Sequence, residues 1–196
     1  IPPSVFENGV KVTHASNTMA VAVAEWTLTV ILMGLRRANL VDRAMQSGEK
    51  WPDYSSLTPS ELFHKRVGVI GASHVGRRLI KLLQPFEVEV IVYDPYLSNT
   101  DADRLGVHKA LKLDELMSTC DVITNHSPTT PETNGMLNAR LWRMAKDNAL
   151  FVNKKTTKGQ LQQKNQDEHQ HHAVLRNRKK LEETKELLEN FMMKHG

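Results

Sequence analysis

The chain has 196 residues, of which 40% are hydrophobic and 24% are charged, a balance typical of a globular domain rather than a disordered or fibrous protein. Its formal net charge of +4 arises in residues 154–196, because residues 1–153 contain 16 basic and 16 acidic side chains. No basic stripe interleaved with aromatics occurs in residues 1–153, which argues against a nucleic-acid partner. The single cysteine, Cys120, excludes an internal disulfide, and the absence of a CxxC pair or Cys/His array predicts no metal site.

Signals for secretion or membrane insertion are weak in this sequence. The N-terminal end lacks the zones of a secretory signal, and it starts at Ile1 rather than a methionine, as in part of a longer chain. Residues 19–35 are apolar, but 17 residues are short for a membrane span of about 20, and they include Glu25. We therefore predict a cytoplasmic protein without a membrane partner, in which this segment forms a buried or interface helix.

The segment TPSE comes before the first predicted strand. It places Thr58 three residues before Glu61 with Pro59 between them, which is the spacing of a capping box. We expect a short helical turn at this point, leading into the strand.

Short β-branched strands then alternate with helical patterns as far as Val152. The predicted strands cover residues 67–70, 88–93, 122–124 and 149–152, and the predicted helices follow Gly71, span residues 113–117 and carry Leu137, Leu141 and Met144 on one face. Strands that alternate with helices of this length indicate an α/β fold with a doubly wound parallel sheet.

The composition changes at about Lys154. Residues 154–196 contain 10 basic and 6 acidic side chains and a single aromatic, Phe191. Val174, Leu181 and Leu188 recur every seven residues, a spacing that favours a solvated helix over a coiled coil because the heptads are so few. We therefore divide the chain into a folded domain, residues 1–153, and a polar basic tail, residues 154–196, that is helical or disordered.

The segment VGVIGASHVGRRLI, residues 67–80, has the pattern of a phosphate-binding turn. A glycine-rich turn between a strand and a helix lets a pyrophosphate approach the backbone, where free N–H groups at the helix N-terminus bind its charge. Gly71 would make the tight turn, and Gly76 would let the helix pack closely on the strand. Ser73 stands in place of the middle glycine, which costs room but adds a hydroxyl donor.

Asp94 strengthens this interpretation. It ends the second predicted strand, 23 residues after Gly71, close to the spacing of about 20 for the acid that binds the adenosine ribose. Its carboxylate would accept both ribose hydroxyls and repel a 2′-phosphate, so the predicted cofactor is NAD rather than NADP. The alternative is that Asp94 only opens a turn with Pro95.

Five segments taken together resemble the NAD-binding (Rossmann) domain of the D-isomer-specific 2-hydroxyacid dehydrogenases. In order they are VAEWTLTVIL, VGVIGASHVGRRL, VYDP, CDVITNHSPTTPETNGMLN and MAKDNALFVN, within about residues 9–153. In that family the cofactor domain is inserted between two parts of a substrate domain, and neither part is recognisable here. The resemblance therefore implies a Rossmann-type sheet that is incomplete at its C-terminal end, so we expect apolar surface around Leu150 to be exposed.

The resemblance also implies which residues contact NAD. His74 and Val75 would lie along the pyrophosphate, Ser127 and Pro128 would line the adenine and nicotinamide-ribose side, and Thr133 would fix that loop. With the turn and the acid, the predicted cofactor-binding residues are Gly71, Ser73, His74, Val75, Gly76, Asp94, Ser127, Pro128 and Thr133. For His74 and His126 a hydrogen-bonded loop histidine is the more ordinary role.

The family's catalytic residues are not matched. Its carboxylate-binding arginine lies in N-x-A-R-G after the fifth strand, whereas Asn153 is followed here by KKTTKG, so that Thr156 takes the arginine position. Threonine cannot form a bidentate carboxylate clamp. The histidines of the tail, His169, His171 and His172, lie in a polar run and do not resemble the family's catalytic histidine.

Two functions remain open from the sequence. The first is the NAD-binding domain of an oxidoreductase that acts on the CH–OH group of D-2-hydroxy acids, with little turnover by this chain alone. The second is a non-catalytic NAD-binding and dimerisation module whose tail binds a partner. Family members commonly dimerise through this domain, so a homodimer is expected. The substrate in the intact family is a small 2-hydroxy or 2-oxo acid.

Overall fold

The computed structural model describes residues 16–48 and 57–153, the isolated positions Glu7 and Lys11, and the backbone of Ala173–Leu175. The described strands are β1 (Arg66–Ile70), β2 (Glu89–Tyr93), β3 (His108–Lys109), β4 (Val122–Asn125), β5 (Leu150–Asn153) and β6 (Ala173–Leu175). The described helices are α1 (Ser16–Leu35), α2 (Ala38–Gln46), α3 (His74–Leu83), α4 (Asn99–Leu105), α5 (Leu113–Thr119) and α6 (Ala139–Met144), with a 3₁₀ turn at Gln84–Phe86.

The strands form one sheet in the order β3-β2-β1-β4-β5-β6. The pairs from β3 through β5 are parallel, and β6 runs antiparallel to β5. The chain winds outward from β1 in one direction through β2 and β3, and in the other through β4 and β5. The predicted doubly wound α/β fold is therefore confirmed, and the bounds of β1, β2, β4 and β5 lie within one residue of those of the four predicted strands.

Alternating side chains of the central strands build a core on each face of the sheet. On one face, Val67, Val69, Val92 and Val122 pack with the buried residues of α1 and α3. On the other face, the intervening isoleucines of β1, β2 and β4 pack with α5 and α6. Every strand between β2 and β5 is thus covered on both sides, which is why the strands read as continuous apolar runs.

Helix α1 is the apolar segment that raised the question of a membrane span. By length and composition alone Asn17–Leu35 could cross a membrane, yet Ala24, Ile31 and Leu35 belong to the core of the sheet. The helix packs along α3 and reaches β5. Burial explains part of its apolar composition, since 33% of the most apolar stretch is buried, which is compatible with the predicted buried or interface helix.

Leu150 is fully buried, so the expectation of an exposed apolar surface around it is wrong. Helix α1 covers it: a Cβ on Gly34 would lie only 2.9 Å from the Leu150 methyl groups. Strand β6 also pairs with β5 at this residue. The expectation considered only elements that follow β5 in the sequence. It was wrong because the helix that covers Leu150, α1, precedes β1 in the sequence.

The capping box at Thr58 does not form a helix. Thr58 has a left-handed backbone with φ 42°, and residues 57–65 contain turns and bends only. Glu61 forms an ion pair with Arg36 at the end of α1, instead of reaching back to the Thr58 amide. The local capping signal is therefore not realised in the folded chain.

Four described helices and strands had no counterpart in the sequence prediction, and one of them is helix α2, Ala38–Gln46. Helix α4 is capped by Ser98, whose hydroxyl accepts the Asp101 amide, and by Gly106 with φ 65°; these signals were present but were not used. Strand β3 has only two residues. In the tail, Val174 lies in strand β6 rather than on the predicted helix, while the rest of the predicted tail helix lies outside the described residues.

Replacing Leu150 with alanine tests the packing of α1 on β5. We expect Leu150→Ala to lower the free energy of unfolding by about 2–5 kcal/mol, because it deletes a fully buried side chain. The matched control is Leu111→Ala, whose side chain is 80% exposed and should change stability by about 0.5 kcal/mol or less. Urea unfolding followed by circular dichroism measures both. Equal stabilities of the two variants would contradict this packing.

Candidate functional site

The carboxyl ends of β1, β2 and β4 meet at one edge of the sheet. Strand β1 pairs with β2 on one side and with β4 on the other. From β2 the sheet continues outward to β3, and from β4 it continues outward to β5 on the opposite side, so the strand order reverses at β1. Gly71 follows β1, Asp94 follows β2, and His126 and Ser127 follow β4. In open parallel sheets a crevice forms at such a reversal of strand order, and ligands bind there.

Gly71 occupies a position that only glycine fits. Its φ is +94°, and a Cβ there would lie 2.8 Å from the amide nitrogen of Ser127. The turn after β1 therefore lies directly against the loop after β4. The His126 amide also donates a hydrogen bond of 2.7 Å to the Ile70 carbonyl. The contact and this hydrogen bond together form the floor of the crevice.

Gly76 brings α3 down onto this turn. A Cβ on Gly76 would overlap the carbonyl oxygen of Gly71, so any larger residue would force the helix away. The close approach aims the start of α3 at the crevice. The first amides of a helix lack intrahelical acceptors and carry the positive end of its dipole, so they form a site for an anion.

Ser73 is the N-cap residue of α3. Its backbone is extended, with φ −74° and ψ −171°, and its side chain makes no capping hydrogen bond. Serine is therefore unstrained in place of the middle glycine, and its hydroxyl faces solvent at the helix start. His74 is exposed beside it and Val75 is half-buried, so both lie at the mouth of the crevice.

Asp94 ties β2 to the glycine turn. One carboxylate oxygen accepts the Ala72 amide at 2.7 Å, and the other accepts the Tyr96 amide at 2.8 Å. A carboxylate has about four acceptor sites. Each oxygen of Asp94 therefore keeps one site for a further donor, which is what a pair of ribose hydroxyls requires.

The loop after β4 is held by its own polar side chains. The Ser127 hydroxyl and amide both donate to the Asn125 side-chain oxygen, at 2.7 and 3.1 Å. His126 shares a hydrogen bond of 2.9 Å with the Thr124 hydroxyl, as the interpretation of a hydrogen-bonded loop histidine predicts. Ser127 is buried at the edge of the crevice.

Thr133 closes the next part of this loop. Its hydroxyl donates to the Pro128 carbonyl and accepts the Thr130 amide, the latter at 2.9 Å. Pro128 itself is exposed. The structure thus brings the loop residues to the β4 side of the crevice and the turn residues to its β1 side, while contact of either group with NAD stays a prediction.

Arg77 lies at the same turn and was missed by the sequence analysis. Its Nε donates to the Ala72 carbonyl at 2.9 Å, and a guanidinium nitrogen lies 3.4 Å from an Asp101 oxygen on α4. The residue links the turn to a helix that was itself not predicted. The Ala72 carbonyl is close in sequence, but Asp101 is reached only in the folded chain, so no local pattern predicts this link.

The described residues contain no catalytic group of the expected kind. Among them there is no cluster of three or more His, Cys, Asp or Glu side chains that could hold a metal. Burial raises the pKa of the Cys120 thiol to about 12, so this cysteine is no nucleophile at neutral pH. Thr156 and the histidines of the tail lie outside the described residues.

Comparisons with known proteins agree with this geometry. The family model described as "D-isomer specific 2-hydroxyacid dehydrogenase, NAD binding domain" matches residues 28–177. The match therefore extends beyond Asn153, where the sequence motifs ended. D-3-phosphoglycerate dehydrogenase of Methanocaldococcus jannaschii is 32% identical over 147 residues, which make up 75% of this chain and 28% of that enzyme.

Solved structures show the same fold. The apo-structure of D-lactate dehydrogenase from Escherichia coli is 29% identical with a TM-score of 0.61, covering 68% of this chain and 41% of that one. The NAD-dependent formate dehydrogenase from Staphylococcus aureus, in complex with NAD, is 32% identical with a TM-score of 0.63, covering 71% of this chain and 40% of that one. The chain thus spans well under half the length of these relatives.

Proposed function

The chain belongs to the D-isomer specific 2-hydroxyacid dehydrogenase family, of which it contains the NAD-binding domain, and we propose that NAD binds in the crevice between β1 and β4. The observation that carries this assignment is the glycine turn. Gly71 and Gly76 leave no room for a Cβ, which keeps backbone amides open to a pyrophosphate. The residues of the crevice therefore fit the cofactor.

Each part of the crevice has a separate role in this proposal. The amides at the start of α3 and the Ser73 hydroxyl hold the pyrophosphate, with His74 and Val75 beside it. Asp94 accepts the adenosine ribose hydroxyls on the acceptor sites that its amide bonds leave open. Ser127 and Pro128 line the adenine and nicotinamide-ribose side, and Thr133 keeps their loop in place.

NAD, when bound, supplies a hydride acceptor for the oxidation of a hydroxyl-bearing carbon. The described residues of this chain bind and orient the cofactor, but none of them is placed to clamp a substrate carboxylate. By the family resemblance the arginine with that role would stand where Thr156 is found. We propose a D-2-hydroxy acid, or the matching 2-oxo acid, as the substrate of the whole protein, and little turnover by this chain alone.

A homodimer is the second part of the proposal. Helices α1 and α2 carry exposed apolar side chains: Met19 is 62%, Met33 is 47% and Met45 is 53% exposed. Exposed apolar side chains on these two helices can contribute to a protein interface. Family members commonly pair through this region of the cofactor domain, so these side chains are candidates for contact with a second copy of this chain.

The role of Asp94 is tested by cofactor selectivity. We expect the wild type to bind NAD at least ~10-fold more tightly than NADP, because the carboxylate accepts ribose hydroxyls and repels a 2′-phosphate. Asp94→Asn should weaken NAD binding by about 10-fold, since a hydrogen bond to a charged group contributes roughly 1.5–3 kcal/mol. Isothermal titration calorimetry with both cofactors measures the two effects.

The matched control is Asp103→Asn, which removes an exposed carboxylate on α4 and should leave both affinities unchanged. Thermal melts of the two variants check that each one folds. If Asp94→Asn and Asp103→Asn bind NAD equally well, Asp94 does not hold the ribose.

Turnover is tested separately from binding. With saturating NADH, we expect the absorbance of NADH to stay constant when any of a panel of small 2-oxo acids is added. The reason is that Thr156 cannot form the two parallel hydrogen bonds of an arginine clamp. The same sample should still bind NAD in the calorimeter. Rapid oxidation of NADH that depends on the added acid would show that another residue performs this role.

The dimer is tested by light scattering after size exclusion. We expect the wild type to have twice the mass of one chain and Met33→Glu to shift toward the monomer, because a charge in an apolar interface is left without a partner. Leu111→Glu is the control, since Leu111 is 80% exposed and lies between β3 and α5, away from α1. A monomeric wild type, or equal masses for both variants, would contradict the assigned interface.

A further inference from the structure

A second cleft lies at the opposite edge of the sheet, where the parallel strands begin. Lys65 immediately precedes β1, Asp121 precedes β4 and Ala149 precedes β5, and all three line this cleft. It encloses about 190 Å³. Since a water molecule takes about 30 Å³ of liquid volume, this space can hold several waters or one small oxyanion.

Arg37 is the buried cation of this cleft. It connects α1 to α2 with a left-handed backbone, φ 56°, and only 8% of the residue is exposed. Its Nε donates to the Leu57 carbonyl at 2.9 Å, and Nη2 lies 3.5 Å from the Thr58 hydroxyl. These are weak partners for a full positive charge, because both are neutral.

The third nitrogen of this guanidinium, Nη1, is buried and has no hydrogen-bond partner among the described residues. Arginine remains protonated in proteins, and a buried charge without a counter-ion is costly. Burial accordingly lowers the pKa of Arg37. The guanidinium thus lacks an anionic partner in the part of the chain that the structure describes.

Asp121 cannot supply that partner, because its carboxylate is already engaged. One oxygen accepts the Arg66 amide at 2.9 Å and the other lies 3.0 Å from the Lys146 ammonium. Burial opposes ionisation of Asp121, but these two contacts, together with the charges of Lys146 and Lys65, outweigh it and lower the pKa of Asp121. Asp121 and Lys146 therefore neutralise each other within the cleft.

The remaining polar lining favours an anion. Lys65 is half-buried at the cleft, and the hydroxyl-bearing residues Thr58 and Ser60 line the same wall as Arg37. Asp147 also contributes to the lining, but it is exposed and has an interaction partner of its own. With Asp121 paired to Lys146, the cleft retains two cations, Arg37 and Lys65, against this one exposed carboxylate.

We propose that this cleft is a binding site for a phosphate-type oxyanion, which the ammonium of Lys65 contacts and the buried charge of Arg37 attracts. The hydroxyls of Thr58 and Ser60 serve as further donors. The site lies at the other edge of the sheet from the glycine turn, so it goes beyond the cofactor function and does not depend on it. The same chemistry would accept free phosphate or the phosphoryl group of a larger ligand.

The direct test is a titration of the ¹⁵N-labelled chain with inorganic phosphate at constant ionic strength, followed by nuclear magnetic resonance. We expect a saturable shift of the Arg37 Nε–H signal and of the Ser60 amide. The Ser73 and His74 amides report separately on phosphate at the glycine turn. If phosphate shifts the Arg37 signal but not the Ser73 amide, the result counts against the cofactor site alone. If phosphate shifts the Ser73 amide but not the Arg37 signal, the result counts against the cleft site alone.

Variants identify the residues responsible. Lys65→Met keeps Arg37 and its signal, and should weaken phosphate binding several-fold. Arg37→Met should abolish the rise in melting temperature that phosphate produces, whereas Arg36→Met, which removes an exposed arginine paired with Glu61, should retain it. If Arg37→Met fails to fold, the Lys65→Met titration decides the question.

Ionic strength and ligand size separate a built site from general screening. Sodium chloride at the same ionic strength should leave the Arg37 signal unshifted, and phenyl phosphate should compete with inorganic phosphate if the cleft admits the phosphoryl group of a larger ligand. Competition by phenyl phosphate supports a ligand-derived phosphoryl group, and its absence supports free phosphate. An Arg37 signal that responds equally to chloride and phosphate, or does not saturate, would overturn the proposal.

Discussion

The close approach of α3 to β1 is the constraint on which this domain depends. Gly76 lies so near the Gly71 carbonyl that no side chain fits between them. Because α1 packs along α3 and reaches β5, the depth of this contact also sets the position of α1 over the sheet. One helix position thus determines both how the core closes around Leu150 and where free amides face the crevice.

Asp94 shows how the same atoms serve the fold and the site. Its carboxylate accepts the amides of Ala72 and Tyr96, and the Gly71 amide donates to the Tyr93 carbonyl beside it at 2.9 Å. These bonds hold the turn after β1 against the end of β2. They also fix the carboxylate without rotamer freedom, so a ligand that uses its remaining acceptor sites meets a group that is already oriented.

The strands β1, β2, β4 and β5 and the glycine turn were predictable because their signals are local. Apolar runs of four to five residues, and a glycine pattern followed by an acid, follow directly from strand burial and from the space that a turn needs. Arg37, Arg77 and the cover of Leu150 were not predictable, because each depends on contacts between distant segments. Thr58 shows the same limit, since Glu61 pairs with Arg36 rather than with the local cap.

The two edges of the sheet differ in the chemical groups that can interact with an anion. At the carboxyl edge, the start of α3 offers backbone amides and the positive end of a helix dipole, so an anion can be held there without a buried cationic side chain. At the amino edge, two helix ends meet at Arg37: α1 ends two residues before it with the negative end of its dipole, and Arg37 is itself the N-cap residue of α2. Its neutral partners, the Leu57 carbonyl and the Thr58 hydroxyl, leave its charge without a counter-ion among the described residues. In this domain, backbone geometry at one edge of the sheet offers amides that can hold an anion, whereas the other edge has a buried cation without a counter-ion among the described residues.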